Sequence, residues 1–213
     1  GMEYAADNEF GLIITLDCGI KDHEPIAWVM QQGVDVIVAD HHRPGAELPA
    51  AYAVLDPKRS DCDYPFKELC GAGVGFKLMQ GLSRKKGMDE KELLRYLDLV
   101  AVAIAADMVP VNGENRVLSY FGLERLNTEP CAGLQAFVRL SGVTNRLSSV
   151  DVMFKIAPKI NAAGRMEHGR LAVELLIEKD EAKARQMAHG LEEHNDERRK
   201  TDELITQEAL DQI

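Results

Sequence analysis

The amino-acid sequence predicts an α/β fold in which a doubly wound parallel sheet is followed by helices. Two apolar, β-branched runs, Gly11–Leu16 and Val34–Ala39, are each followed directly by an aspartate, which is typical of buried parallel strands. Between them, Glu24–Gln32 has the spacing of a short helix closed by Gly33, which completes a strand–helix–strand unit. Beyond residue 115 the apolar pattern is helical, and no further strand is predicted.

The remaining elements can be assigned in chain order. A third short strand is predicted at Ala53–Leu55, and a loop rich in Pro, Ser and Asp follows it. Small residues open a helix at Gly71–Met79, and Lys91–Ala105 carries the apolar stripe of a core helix. Later helices are expected at Arg116–Leu126, Ala132–Ser141, Ser149–Ile156, Arg170–Ile177 and in a long segment from Glu181. Because two or three parallel strands make an unstable sheet, we expect further strands ahead of residue 1.

The composition narrows the possible functions. The 213 residues carry a net charge of −10, which disfavours broad binding to a polyanion, so any contact with nucleic acid must be local. No apolar run approaches the roughly 20 residues of a membrane-spanning helix, and the first ten residues lack the basic start of a secretory signal. We therefore expect a cytoplasmic protein with no membrane partner. Its four cysteines form no CxxC pair and are expected to be reduced thiols.

The residues with the clearest chemistry follow the two predicted strands. Asp17 and Asp40 would be neighbours at the carboxyl edge of the sheet, where α/β proteins bind ligands, although a single aspartate there often only caps a turn. Asp40-His41-His42 adds two imidazoles directly after a buried strand. Such a triplet offers oxygen and nitrogen ligands to a divalent metal ion. The triplet therefore favours metal binding or acid–base chemistry over a structural role.

Three ordered motifs carry a resemblance to a known family. Asp40-His41-His42 resembles the motif that names the DHH phosphoesterases, Thr15–Gly19 resembles the motif before it, and Ile104–Pro110 resembles the segment that completes the metal ligands. The resemblance implies Asp17, His41 and Asp107 as metal ligands and Asp40 as a ligating or bridging carboxylate. It leaves two roles open for His42, which either ligates a metal or polarises the scissile phosphate.

Two further segments are similar to the RecJ-type branch of this family. Leu69–Leu78 resembles its glycine-rich helix start, and Ala157–Met166 resembles a segment that short-substrate members do not share in this form. The resemblance implies that Arg165 contacts the phosphates of a single strand, with Asn161 as a weaker companion. The glycines of 71–73 either expose N–H groups to a phosphate or allow close packing beside the metal site.

The resemblance implies a 5′→3′ exonuclease that releases mononucleotides from single-stranded DNA in recombination and repair. It implies a two-metal Mn²⁺ or Mg²⁺ site, with a single-strand-binding protein and a helicase as candidate partners. The alternatives are a phosphodiesterase for short oligonucleotides or cyclic dinucleotides, a pyrophosphatase, and a non-catalytic scaffold that binds replication proteins.

The family pattern also predicts how the chain is divided. We expect a partial DHH catalytic domain over 1–110, a helical extension over 111–178 and the start of an interdomain helix over 179–213. The family's upstream Asp-x-Asp motif and its downstream DHHA1 domain are absent from the sequence. We therefore expect an incomplete metal site, with weak or no metal occupancy and no activity in this chain by itself.

Overall fold

The computed structural model describes residues 1–165, 169–193 and 210, with the side chains of 162–165 excepted. The chain forms two compact units, Gly1–Gly122 and Leu123–Ile213. Within the described residues, no helix is both long enough and apolar enough to cross a membrane.

The first unit contains a three-stranded sheet whose strands run parallel in the order β1–β2–β3. The strands are β1 at Leu12–Leu16, β2 at Asp35–Ala39 and β3 at Ala53–Leu55. Their register pairs Leu16 with Ala39 and Ala39 with Leu55, so the three strands end level with one another. The residue that follows each strand therefore lies at the same edge of the sheet.

Helices cover both faces of this sheet, which confirms the predicted doubly wound α/β class. Helix α1 spans Met2–Asp7, α2 spans His23–Gln31 and α3 spans Gly71–Lys86. Val36 and Val38 of β2 pack on one face with Ile26 and Val29 of α2. The opposite face meets α3, where Gly75 lies against the side chain of Leu16. The sequence did not predict α1.

Helix α3 ends at Gly87, which adopts a left-handed conformation with φ of 66°. A 3₁₀ helix at Glu90–Tyr96 then leads into α4 at Leu97–Ala106. Helices α3 and α4 share an apolar core that includes Phe76 and Ile104. Because α4 ends at Ala106, Asp107 becomes the residue that caps its carboxyl end.

The second unit is helical throughout its described elements. Helix α5 spans Gly113–Thr128. The predicted division of the chain at residues 110 and 178 stays a prediction. The elements that follow are α6 at Ala132–Leu140, α7 at Ser149–Asp151, a π-helical turn at Val152–Ile156, α8 at Ala157–Arg165, α9 at Gly169–Ile177 and a helical segment at 181–193. The expected helix from Glu181 is present as far as the described residues extend.

Candidate metal centre

The carboxyl edge of the sheet brings the predicted ligands together from distant parts of the sequence. The backbone N–H of Asp17 donates to Ala39 O at 3.0 Å, and that of Asp40 donates to Leu55 O at 3.0 Å. These bonds extend the two ladders by one residue and place both aspartates at the strand ends. The interpretation of this edge as a ligand-binding edge therefore has a structural basis.

A cluster of four side chains, Asp17, His41, His42 and Asp107, lies at this edge and is called the acid–histidine group below. Potential ligand atoms of Asp17, His41 and His42 all lie within 4.8 Å of one another. His41 Nε2 is 3.0 Å from Asp17 Oδ1 and 3.3 Å from Asp107 Oδ2. The group thus combines residues that follow β1 and β2 with the residue that caps α4.

His41 is the buried member of the group, since only 5% of its surface is exposed. Its Nε2 lies close to two carboxylates, yet neither contact has hydrogen-bond direction, and Nε2 has no hydrogen-bond partner among the described residues. Asp17, Asp107 and His42 are exposed. An uncommitted imidazole nitrogen that faces two carboxylates fits a divalent cation, and this mixed oxygen and nitrogen donor set suits Mn²⁺.

Asp40 is buried at this edge, in contrast to Asp17. Its Oδ1 accepts hydrogen bonds from the backbone N–H groups of His41 and His42, while Oδ2 accepts from Ile20 N. Burial by itself would raise the pKa of Asp40, but the hydrogen bonds from the His42 side chain and these N–H groups hold that pKa below its usual range. These bonds hold the Asp40 carboxylate against the backbone of the motif, and its role as a ligating or bridging carboxylate stays a prediction.

His42 is oriented by that buried carboxylate. Its Nδ1 lies 2.7 Å from Asp40 Oδ1, and this hydrogen bond raises the pKa of His42. A proton held on Nδ1 leaves Nε2 as the atom that can face a ligand. The rings of His41 and His42 lie edge to face, with centroids 4.5 Å apart.

Asp17 is held by an unusual backbone and by a close neighbour. Its φ is 65°, a left-handed conformation that few residues other than glycine adopt. A Cβ at Gly71 would lie 2.2 Å from Asp17 Oδ1, so the start of α3 must be glycine for Asp17 to stay where it is. This contact supports the packing interpretation of the glycines. Burial raises the pKa of Asp17, the negative charges of Asp107 and Asp40 add to the increase, and His41 opposes it.

Asp56 is a residue of this edge that the sequence reasoning missed. It follows β3 as Asp40 follows β2, and it is only 3% exposed. The signal was present in the sequence, because all three predicted strands are followed by an aspartate. Asp56 was not predicted as a site residue because no histidine and no recognised motif accompany it.

The two residues predicted to contact the phosphates of a single strand of nucleic acid, Asn161 and Arg165, belong to the second unit. Asn161 is exposed on α8. Arg165 ends the same helix, and its side chain lies outside the part of the chain that the structure describes. Their roles stay predictions.

Comparison with known proteins identifies the relatives of this chain. Residues 2–104 match the N-terminal domain of the DHH family. The single-stranded-DNA-specific exonuclease RecJ of Bacillus subtilis is 41% identical over 205 residues, which cover 96% of this chain and 25% of the relative. The corresponding RecJ of Dickeya dadantii is 38% identical, over 93% of this chain and 36% of the relative.

Solved structures agree with these sequence matches. RecJ from Thermus thermophilus in complex with Mn²⁺ matches 100% of this chain at 35% identity, with a TM-score of 0.84, and the chain covers 32% of it. An exonuclease RecJ bound to manganese matches with a TM-score of 0.83 at 34% identity, over 98% of this chain and 53% of that structure. The chain therefore spans about a quarter to a half of the relatives it matches. It carries the DHH family's N-terminal domain and is homologous to the RecJ single-stranded-DNA-specific exonucleases over most of its length.

Proposed function

We propose that this chain supplies part of the catalytic centre of a metal-dependent 5′→3′ exonuclease that acts on single-stranded DNA. The observation that carries the proposal is the uncommitted Nε2 of buried His41, which faces the carboxylates of Asp17 and Asp107. The names of the relatives support the substrate, and the Mn²⁺ and Mg²⁺ complexes of solved relatives support the cofactor.

Asp17, His41 and Asp107 would hold a divalent cation, with His42 beside them. When bound, Mn²⁺ or Mg²⁺ would polarise the scissile phosphate and lower the pKa of the attacking water. The protein residues would do the positioning: Asp40 fixes the imidazole of His42, and Gly71 leaves room for Asp17. His42 would then either ligate the cation or polarise the phosphate. Four side chains are few for two cations, so weak binding by this chain alone stays our expectation.

The wider role belongs to the same proposal. Arg165 and Asn161 would contact the phosphates of the strand, and the chain would divide into a catalytic part over 1–110, a helical extension over 111–178 and an interdomain helix from 179. We propose a cytoplasmic role in DNA recombination and repair, with a single-strand-binding protein and a helicase as partners.

The test is Mn²⁺-dependent release of nucleotides from 5′-phosphorylated single-stranded DNA by the protein at its full natural length. We expect Asp17→Asn to reduce the rate at least ~100-fold, because loss of a ligand or of its support typically costs 10- to 100-fold or more in metal affinity or activity. Asp22→Asn is the matched control, because Asp22 is a nearby exposed acid outside the acid–histidine group. Equal rates for all three proteins would refute the proposal. Turnover of dinucleotides with no turnover of long strands would favour the short-substrate alternative.

A further inference from the structure

The carboxylate of Asp56 has one oxygen without a hydrogen-bond partner in a buried position. Its Oδ1 accepts the backbone N–H of Lys58 at 2.7 Å, which closes the turn after β3. Its Oδ2 is shielded from solvent and has no hydrogen-bond partner among the described residues. A buried, unsatisfied carboxylate oxygen is rare and costly, so it calls for a donor at the same place.

The second ring nitrogen of His41 also lacks a hydrogen-bond partner among the described residues. This nitrogen, Nδ1, is buried as well. Both carboxylates near His41, those of Asp17 and Asp107, approach Nε2 and not Nδ1. Asp56 Oδ2 can accept a hydrogen bond and Nδ1–H of His41 can donate one, so the two groups are complementary.

The register of the sheet brings Asp56 and His41 to the same edge. Ala39 pairs with Leu55, and Asp40 N donates to Leu55 O, so Asp56 follows β3 at the level where Asp40 follows β2, and His41 is the next residue after Asp40. Burial raises the pKa of Asp56, and Asp40 and His41 both lie close enough to act on that pKa. Asp40 makes no hydrogen bond to Nδ1, since its carboxylate accepts from Ile20 N, from the backbone of His41 and from the ring of His42.

We propose that Asp56 accepts a hydrogen bond from Nδ1–H of His41, directly or through one buried water, and thereby leaves the lone pair of Nε2 free for a cation that Asp17 and Asp107 would also bind. Asp56 is then a positioning residue that acts through His41, as carboxylates do behind many metal-bound histidines. The effect on metal binding rests on the proposed function, whereas the link between Asp56 and His41 does not.

The proposal explains why aspartate stands at this position. One oxygen serves Lys58 N–H and the other serves His41, so two acceptors are needed. An asparagine keeps the turn, since its single carbonyl oxygen can accept from Lys58 N, but its amide group then presents a donor to His41. Asp56→Asn therefore separates a positioning role from a structural role in the turn.

The experiment reads the tautomer of His41 in this chain, labelled with ¹⁵N-histidine, at a pH where the ring is neutral. Long-range ¹H–¹⁵N correlations distinguish the Nδ1–H and Nε2–H forms. We expect Nδ1–H in the wild type and a shift towards Nε2–H in Asp56→Asn. Asp61→Asn is the matched control, because Asp61 is an exposed acid of the same loop that pairs with Arg59. An Nε2–H tautomer in the wild type, or an unchanged tautomer in Asp56→Asn, would overturn the proposal.

Mn²⁺ affinity of the full-length protein gives the second readout. We expect Asp56→Asn to weaken it about 10-fold or more and Asp61→Asn to leave it unchanged. If Asp56→Asn changes the tautomer of His41 but the wild-type protein binds no Mn²⁺, the link from Asp56 to His41 is supported and the proposed metal centre is refuted. An unchanged affinity despite a changed tautomer would overturn the positioning role.

Discussion

His41 and His42 are consecutive residues with opposite surroundings. His41 is buried with its Nε2 uncommitted, whereas His42 is exposed and tied through Nδ1 to the buried carboxylate of Asp40. The backbone N–H groups of both histidines donate to that same carboxylate. One buried aspartate therefore holds the backbone of both histidines and the ring of His42.

At the residue scale, the space beside Asp17 gives the first prediction. Gly71→Ala places a methyl group where the Asp17 side chain lies, so we expect weaker Mn²⁺ binding and a loss of about 1–3 kcal/mol in unfolding free energy. Gly81→Ala in the same helix meets nothing within 4 Å and should gain about 0.5–1 kcal/mol without changing Mn²⁺ binding. Urea unfolding and Mn²⁺ titration measure both effects. Equal Mn²⁺ affinities for the two variants would contradict the packing role of Gly71.

The thiol of Cys70 gives a second prediction. Cys70 caps α3, and burial raises the pKa of its thiol to about 11. At pH 8 only about one molecule in a thousand would carry the reactive thiolate. We therefore expect iodoacetamide to label exposed Cys18 well before Cys70, as followed by peptide mass spectrometry. Labelling of both at one rate would show that the start of α3 opens readily.

At the element scale, the strands were predictable because their composition is local and unambiguous. β3 has its predicted limits, and β1 and β2 each begin one residue later than predicted. Helix α8 was harder, since Ala157–Arg165 contains proline, asparagine and glycine, which favour loops in an isolated sequence. Pro158 lies inside a continuous helical run from Ser149 to Arg165, where it comes shortly after the π-helical turn at Val152–Ile156.

The crossing of α6 and α9 gives a third prediction. A Cβ at Gly133 would lie 2.3 Å from Leu175 O, which means that the two backbones touch at this point. We expect Gly133→Ala to cost about 1–3 kcal/mol in unfolding free energy. Gly190→Ala, which meets nothing within 4 Å, should cost nothing. Chemical unfolding of the two variants compares them, and a neutral Gly133→Ala would disprove the close crossing.

The cap of α7 gives a prediction for pH. Ser148 and Asp151 form a reciprocal capping box, and the hydrogen bonds from Lys155 and Ser148 hold the pKa of Asp151 well below its usual value of 3.8. The ionised carboxylate therefore stabilises the fold above about pH 4, and this contribution is lost as the pH falls further. We expect Asp151→Asn to lower the urea midpoint at pH 7 and to do so less at pH 3. A difference that is constant with pH would exclude this mechanism.

At the scale of the whole molecule, the acid–histidine group lies entirely within the first unit, although its residues are separated by as much as 90 positions in sequence. The sequence could predict its members because the strand ends and motifs mark them. It could not predict which backbone N–H groups the Asp40 carboxylate accepts from, because that depends on the folded sheet, whereas the position of Asp56 after the third predicted strand was visible in the sequence. The negative net charge also fits a centre that attracts cations.

The most direct test of the proposed metal centre is the site at which Mn²⁺ first broadens the NMR signals of this chain. Paramagnetic broadening localises an ion even when binding is weak, which is what we expect here. We predict that substoichiometric Mn²⁺ first removes the signals of Asp17, His41, His42 and Asp107, and that His41→Ala abolishes this pattern. Broadening that begins at other acidic residues, or that is the same in His41→Ala, would contradict the assignment of the acid–histidine group as the metal centre.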